Sequence, residues 1–147
     1  MVKILHAADF HLDSPFAGLT SEQARARRRE GRENIARLAN YANAGHVDLV
    51  LLAGDLFDSG EIYRQTAETL AKALGTVEGR VFIAPGNHDY WDEKGPYAQV
   101  NWPENVHIFK SDALEAVELP ELNCVVHGAA FTAPECTDNL FGGFRAE

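Results

Sequence analysis

The hydrophobic residues of this chain form three short continuous runs, separated by two longer segments with helical periodicity. The runs, at residues 2–8, 48–53 and 80–84, are too short for independent helices, and we interpret them as strands. The first is expected to be buried, and the second to be buried on both faces. The segments between them predict a helix from Thr20 or Ser21 to about Ala44, ended by Gly45, and a helix from about residue 60 to 74, ended by Gly75. This alternation predicts an α/β fold with a parallel sheet and right-handed crossovers.

Both predicted helices have an apolar stripe that identifies the side facing the sheet. In the first helix the stripe consists of Ile35, Leu38, Ala39 and Ala42. In the second helix, for which Ser59 is the candidate N-cap, it consists of Tyr63, Ala67, Leu70, Ala71 and Leu74.

The first half of the first helix is rich in arginine instead. It contains Arg25, Arg27, Arg28, Arg29 and Arg32, although the chain as a whole has a formal net charge of −9. One interpretation is a solvated helix face. The other is a contact with a phosphate backbone, near the loop that follows the first strand.

Each predicted strand is followed by residues that bind metals or move protons. These residues are Asp9 and His11 after the first strand, Asp55 after the second, and Asn87 with His88 after the third. Parallel strands end at one edge of a sheet, where α/β folds bind ligands, so we expect the five side chains to lie together. Asp9 and His11 point to the same side if the backbone stays extended. Taken alone, Asp55 could equally cap the next helix.

This set of side chains suits phosphoester hydrolysis by two metal ions. Two cations about 4 Å apart need one shared anionic bridge and terminal ligands of their own. We assign Asp55 as the bridge, Asp9 and His11 to one metal, and Asn87 to the other metal through its side-chain oxygen.

The two residues after Asn87 have supporting roles in this interpretation. His88 is placed to donate a proton to the leaving oxygen or to hold the phosphate. Asp89 either orients His88 or is a turn or cap residue.

Length and composition indicate the number of domains, the state of the cysteines and the absence of a predicted membrane span. The 147 residues suit one domain, which we place at 1–147, and 46% apolar residues are ordinary for a globular protein. The two cysteines, Cys124 and Cys136, form no CxxC pair and are predicted to be reduced thiols. No run approaches the roughly 18 apolar residues of a membrane span and no signal peptide is visible, so we expect a cytoplasmic protein without a membrane contact.

Three motifs carry a family resemblance: Asp9-x-His11, Gly54-Asp55 and Gly86-Asn87-His88-Asp89. In this order they resemble the first three motifs of the calcineurin-like metallophosphoesterases. The longer strings HAADFHLDSPF (6–16) and LLAGDLFDSG (51–60) resemble the bacterial DNA repair exonucleases of the SbcD type, and the first string is most similar to their YhaO-like branch. The resemblance spans about residues 2–130.

This resemblance has implications for fold, chemistry and partners. It implies a layered α/β sandwich with a largely parallel first sheet and a dinuclear site, usually of manganese in the nucleases, with iron, zinc or magnesium as other metals. It also implies hydrolysis of DNA phosphodiesters, an ATPase partner of the SMC-like coiled-coil class, and a nuclease homodimer.

The histidines outside these motifs depart from the family pattern. The family completes its metal shell with later histidines, including a GHxH-like pair that nothing after Asp89 matches. His127 is the one later candidate ligand, whereas His107 is interpreted as structural and His6 as a packed core histidine or a partner of a ligand. Either the chain is a fragment, or it is naturally short with an incomplete site. In both cases we expect weak metal binding and slow DNA hydrolysis.

The second half of the chain predicts further strands at residues 106–109, 113–119 and 123–126, which extend the sheet or begin a second layer. An aromatic connection precedes them, with Tyr90, Trp91, Tyr97 and Trp102. We interpret it as a loop packed over the sheet, and a surface for base stacking or dimer formation is the alternative.

Three functions remain compatible with the sequence. The first is a metal-dependent DNA repair nuclease subunit, and the second is a small-molecule or nucleotide phosphodiesterase or phosphatase with the same metals. The third is a non-catalytic module with an incomplete metal site.

Overall fold

The computed structural model describes residues 1–58 and 64–145. Its strands are β1 (Ile4–Ala7), β2 (Leu49–Ala53), β3 (Arg80–Ala84), β4 (Val106–Ile108), β5 (Glu115–Leu119) and β6 (Cys124–Gly128). Its α-helices are α1 (Ser21–Ala44) and α2 (Arg64–Leu74), and a 3-10 turn at Pro120–Leu122 joins β5 to β6. The predicted N-cap Ser59 and stripe residue Tyr63 lie outside the described residues.

Four parallel strands form the main sheet in the order β1-β2-β3-β4. Leu52 pairs with Ala7 on one side and with Ile83 on the other, so the carboxyl ends of the first three strands are in register. The predicted α/β fold is confirmed. The prediction of a buried first strand is wrong, because β1 is the edge strand of this sheet and Ile4 is 56% exposed.

The two faces of the main sheet pack against different layers. Val50, Leu52, Val81 and Ile83 belong to the core shared with the helices. The alternate residues Leu49 and Phe82 belong to a second core with Phe109 and with Leu119 of the antiparallel β5-β6 pair. The order of layers is therefore helices, parallel sheet and hairpin, which confirms the layered sandwich. Both predicted placements of the later strands occur, because β4 extends the main sheet and β5-β6 begins a second layer.

Local signals explain where the helices lie. Thr20 caps α1 with a reciprocal capping box that includes Gln23, and Gly45 follows its end. The predicted stripes are confirmed, since Ile35, Ala39 and Ala42 of α1 are buried, as are Ala67, Leu70, Ala71 and Leu74 of α2.

The aromatic connection packs as a loop over the core. Tyr97 is 2% exposed, and the indole N–H of Trp102 donates to the Tyr97 carbonyl at 2.9 Å. Trp91 and Trp102 are half-buried against the helix-side core. The packed interpretation is confirmed for these three residues.

Two further predictions concern cysteines and membranes. Cys124 and Cys136 are both free thiols, as predicted. Neither described helix combines the length and apolar character that a membrane crossing requires.

Candidate metal centre

The loop after β1 continues the pairing with β2 beyond the end of the sheet. The Asp9 amide donates to the Gly54 carbonyl at 3.1 Å, and the His11 amide donates to the Asp55 carbonyl at 3.0 Å. The backbone does not stay extended here, because Asp9 and His11 have φ values of 57° and 44°. Their side chains nevertheless converge, with His11 Nε2 3.9 Å from Asp9 Oδ1.

The second and third motifs approach each other through glycine. Gly54 has a φ of +84°, in the region that favours glycine, and the following Asp55 has a φ of 53°. A Cβ atom on Gly86 would lie 2.3 Å from Asp55 Oδ1, so only glycine allows this contact. The same Asp55 oxygen accepts a hydrogen bond from the His88 amide at 3.0 Å.

Asp89 holds the backbone of the second motif, and the prediction that it orients His88 is wrong. Its buried carboxylate accepts hydrogen bonds from four backbone amides, those of Asp55 (3.1 Å), Leu56 (2.8 Å), Phe57 (3.3 Å) and Gly86 (2.7 Å). It also accepts a hydrogen bond from the Tyr97 hydroxyl. These donors compensate the burial of the charge. Burial and the neighbouring Asp89 carboxylate raise the pKa of Tyr97 well above its usual range.

The carboxylate beside His88 is Asp58, which the sequence interpretation missed. Asp58 Oδ1 lies 3.2 Å from His88 Nδ1 and 3.7 Å from His11 Nδ1. The two imidazole rings meet edge to face with centroids 5.1 Å apart. The available signal was a carboxylate three residues after Asp55 in the same motif, but its direction depends on the turn through Leu56 and Phe57.

The structure brings four of the five predicted site residues into contact or near contact. Asp9, His11 and Asp55 offer ligand atoms within 4.8 Å of one another, and His11, Asp58 and His88 do the same. Two atoms that each bind one cation at about 2.1 Å lie within about 4.2 Å of each other, and the 3.9 Å between His11 and Asp9 satisfies this limit. Carboxylate oxygens and imidazole nitrogens suit divalent transition metals, so the residues fit such an ion. Asn87 is exposed on the loop that carries His88 at the same sheet edge.

The family model for calcineurin-like phosphoesterases matches residues 2–142. The chain belongs to this family. Metallophosphoesterases are hydrolases that use divalent metals, which agrees with the two ligand groups. The resemblance drawn from the motifs is therefore confirmed.

Individual relatives are similar to parts of the chain. It is 39% identical over 113 residues to an uncharacterized metallophosphoesterase YhaO of Bacillus subtilis (strain 168), over 73% of this chain and 27% of that protein. It is 33% identical over 93 residues to the SbcD component of the nuclease SbcCD of Rhodobacter capsulatus, over 60% of this chain and 22% of that protein. It is 22% identical over 122 residues to the SbcD component of the same nuclease of Bacillus subtilis (strain 168), over 80% of this chain and 30% of that protein. The chain thus spans between 22% and 30% of the length of these relatives.

Three further histidines of this phosphoesterase chain lie in other surroundings. His127, on β6, is exposed and packs against Phe144 with ring centroids 4.6 Å apart, and it belongs to neither ligand group found among the described residues. His107 has the contacts of a structural residue, with Nε2 3.0 Å from Glu115 and its ring against Phe82. His6 is exposed on the edge strand, so the prediction of a packed core histidine is wrong.

Proposed function

We propose that this chain carries the metal-binding motifs of a DNA nuclease subunit that hydrolyses phosphodiester bonds with two manganese ions. The observation that carries the proposal is the ligand group of Asp9, His11 and Asp55 at the carboxyl edge of the sheet, in which the Asp55 carboxylate also accepts a hydrogen bond from the His88 amide. Two of the relatives are named as components of a nuclease, which supports a nucleic acid as the substrate.

The proposed ligands are the residues that follow the three strands. Asp9 and His11 would hold one cation, Asn87 would hold the other, and Asp55 would be the ligand that they share. The arrangement supports these roles because Asp55 lies between the other two loops. Its carbonyl accepts from the His11 amide and its carboxylate accepts from the His88 amide. The exposed amide of Asn87 is open to a ligand.

His88 is the proposed proton donor to the leaving oxygen. When bound, the two cations lower the pKa of a water molecule and stabilise the charge on the phosphoryl group. Because Nδ1 of His88 lies 3.2 Å from Asp58 Oδ1, the carboxylate orients the ring and leaves Nε2 for the substrate. The His88 side chain is 39% exposed, so a phosphodiester can reach it.

The wider assignment follows the resemblance to the SbcD-type nucleases. It comprises an SMC-like coiled-coil ATPase as partner, a nuclease homodimer, a role in DNA repair and a cytoplasmic location. A second candidate function is hydrolysis of a small phosphodiester or nucleotide, which the net charge of −9 favours because a small substrate needs no broad basic surface.

A manganese titration by calorimetry tests the metal site first. We compare the unaltered chain with Asp55→Asn, which removes the proposed bridge, and with Asp112→Asn, the same change at an exposed residue outside both ligand groups. We expect two ions to bind weakly to the unaltered chain and to Asp112→Asn. Loss of the bridge should weaken binding by at least about 10-fold, because a direct ligand contributes no less than the outer-shell partners whose loss costs about 10- to 100-fold.

Cleavage assays then separate the candidate functions. Manganese-dependent cleavage of DNA that Asp55→Asn abolishes supports the nuclease, and hydrolysis confined to small diesters supports the second candidate. Equal manganese binding by all three proteins would refute the assignment of Asp55 and favour a non-catalytic module.

A further inference from the structure

A cationic groove lies between α1 and α2, outside the candidate metal centre. It has a volume of about 590 Å³. Its α1 wall consists of Arg25, Arg28, Arg29 and Arg32 with Glu33 and Ala36, and its α2 wall consists of Gln65, Thr66 and Thr69. Arg28 and Arg32 contact the loop after β1, but no contact in the candidate metal centre or in the described core accounts for Arg25 and Arg29 in this groove.

The charge of this groove is incompletely neutralised. Helix α1 contains six arginines and three glutamates, in a chain whose formal net charge is −9. Within residues 1–58 and 64–145, no carboxylate lies within ion-pair distance of Arg25 or Arg28. Arg29 is 3.7 Å from Glu33, and because both side chains are largely exposed an anionic ligand can replace this weak ion pair.

The groove is joined to the loop that carries His11. Arg32 Nη1 lies 2.8 Å from Asp13 Oδ1, and the Asp13 side chain is only 1% exposed. Arg28 Nη1 donates to the Ser14 carbonyl at 3.4 Å. These contacts hold one end of the groove beside the loop from the first motif, so a ligand in the groove can continue towards the metal centre.

We propose that this groove binds the phosphodiester backbone of a DNA strand whose reacting phosphate lies at the metal centre. The inference rests on the proposed function and specifies how that function holds its substrate. Seven residue steps from Arg25 to Arg32 cover about 10 Å of helix, which equals about three base-pair rises along the axis of duplex DNA. A single phosphate would occupy only part of this length.

The lining also predicts the mode of recognition. Among the described residues that line the groove there is no aromatic side chain on which a base could stack. Guanidinium groups are donors for phosphate oxygens, which carry no sequence information. The groove therefore binds DNA without regard to base sequence.

The salt dependence of DNA binding tests this proposal. The groove variant is Arg25→Gln with Arg29→Gln. The matched control is Arg27→Gln with Arg37→Gln, which makes the same charge change on the same helix at residues that do not line the groove. Binding of a fluorescein-labelled DNA duplex is measured by anisotropy from about 50 to 200 mM salt, without divalent metal so that no cleavage occurs.

The expected result is a change in the slope of log K against log salt. This slope is negative, and each lost phosphate contact reduces its magnitude by about 0.9. The groove variant should therefore have a slope smaller in magnitude by about 1.8 and bind more weakly, while the control keeps the slope of the unaltered chain. Equal losses in both variants, no loss in either, or salt-independent binding by the unaltered chain would overturn the groove assignment.

A parallel assay keeps this outcome separate from the proposed function. The unaltered chain is tested for manganese-dependent hydrolysis of bis(p-nitrophenyl) phosphate, which is too small to span the groove. Hydrolysis together with identical slopes in the two variants would overturn the groove and leave the phosphodiesterase. Absence of hydrolysis of this diester and of DNA would refute the proposed function, while the slopes still decide whether the groove binds DNA.

Discussion

Replacement of Tyr97 by phenylalanine should destabilise the chain through the buried carboxylate of Asp89. The hydroxyl is one of five donors to Asp89, and the other four are backbone amides. Phenylalanine fills the same space, so no cavity is created and the loss is confined to the hydrogen bond. A hydrogen bond to a charged group contributes about 1.5–3 kcal/mol, and removal of the buried hydroxyl recovers part of its own desolvation cost, so we expect a loss of about 2 kcal/mol.

Urea unfolding of the metal-free chain measures this loss. Tyr41→Phe is the matched control, because Tyr41 is 72% exposed and the same change there should stay within about 0.5 kcal/mol of the unaltered chain. For a chain of this size, about 2 kcal/mol corresponds to a fall in Tm of roughly 4–8 °C. A Tyr97→Phe variant as stable as Tyr41→Phe would refute the reasoning that this hydroxyl stabilises the Asp89 carboxylate.

The pH dependence of the same measurement gives a second check. Burial and Asp89 raise the pKa of Tyr97, so the hydroxyl stays neutral in the fold at a pH where an unfolded tyrosine, with a pKa of about 10, ionises. The contribution of Tyr97 is therefore complete below about pH 10 and is lost above it, by up to about 1.4 kcal/mol per pH unit. The difference in the free energy of unfolding between the unaltered chain and Tyr97→Phe should be constant from about pH 7 to 9 and should narrow above pH 10. A difference that widens there would contradict the raised pKa.

Two further predictions concern the candidate metal centre. Asp58→Asn should lower kcat for manganese-dependent hydrolysis of bis(p-nitrophenyl) phosphate by about 10- to 100-fold with little change in KM, because Asp58 lies 3.2 Å from His88; a kcat within twofold of the unaltered chain would contradict this role. Gly86→Ala should weaken manganese binding in calorimetry by at least about 10-fold, because its Cβ would lie 2.3 Å from Asp55 Oδ1. Gly18→Ala is its control, since a Cβ there meets no atom within 4 Å, and equal manganese affinity in the two variants would count against the close approach.

The loop after β1 shows where sequence interpretation reached its limit at the candidate site. Asp9 and His11 were identified as a pair from their spacing on an extended strand, but both have a positive φ, and their convergence at 3.9 Å comes from the hydrogen bonds of this loop to Gly54 and Asp55. The two side chains therefore converge as expected, but the extended backbone assumed for them is wrong. Spacing rules describe regular strands and helices, and they do not describe turns in the left-handed region.

Asp58 and Asp89 show that adjacency in the sequence does not identify the partner of a side chain. Sequence proximity paired Asp89 with its neighbour His88, yet the Asp89 carboxylate binds the amide of Leu56, 33 residues earlier, and Asp58 takes the position beside His88. Adjacent residues on a tight turn point in different directions, so adjacency did not determine the partner. Only the packing of the second motif against the third decided which carboxylate is buried and which faces the imidazole.

The sequence by itself determined the order of strands and helices along the chain and the edge of the sheet at which the candidate metal ligands lie. Apolar periodicity is a local property, and parallel strands joined by helices must end on the same side, so Asp9, Asp55 and Asn87 could be assigned to one edge from this pattern alone. The tertiary structure alone decided that β1 is an exposed edge strand, that Asp89 fixes the second motif and that four arginines line a groove. These properties depend on contacts between segments far apart in the chain, and no local pattern encodes them.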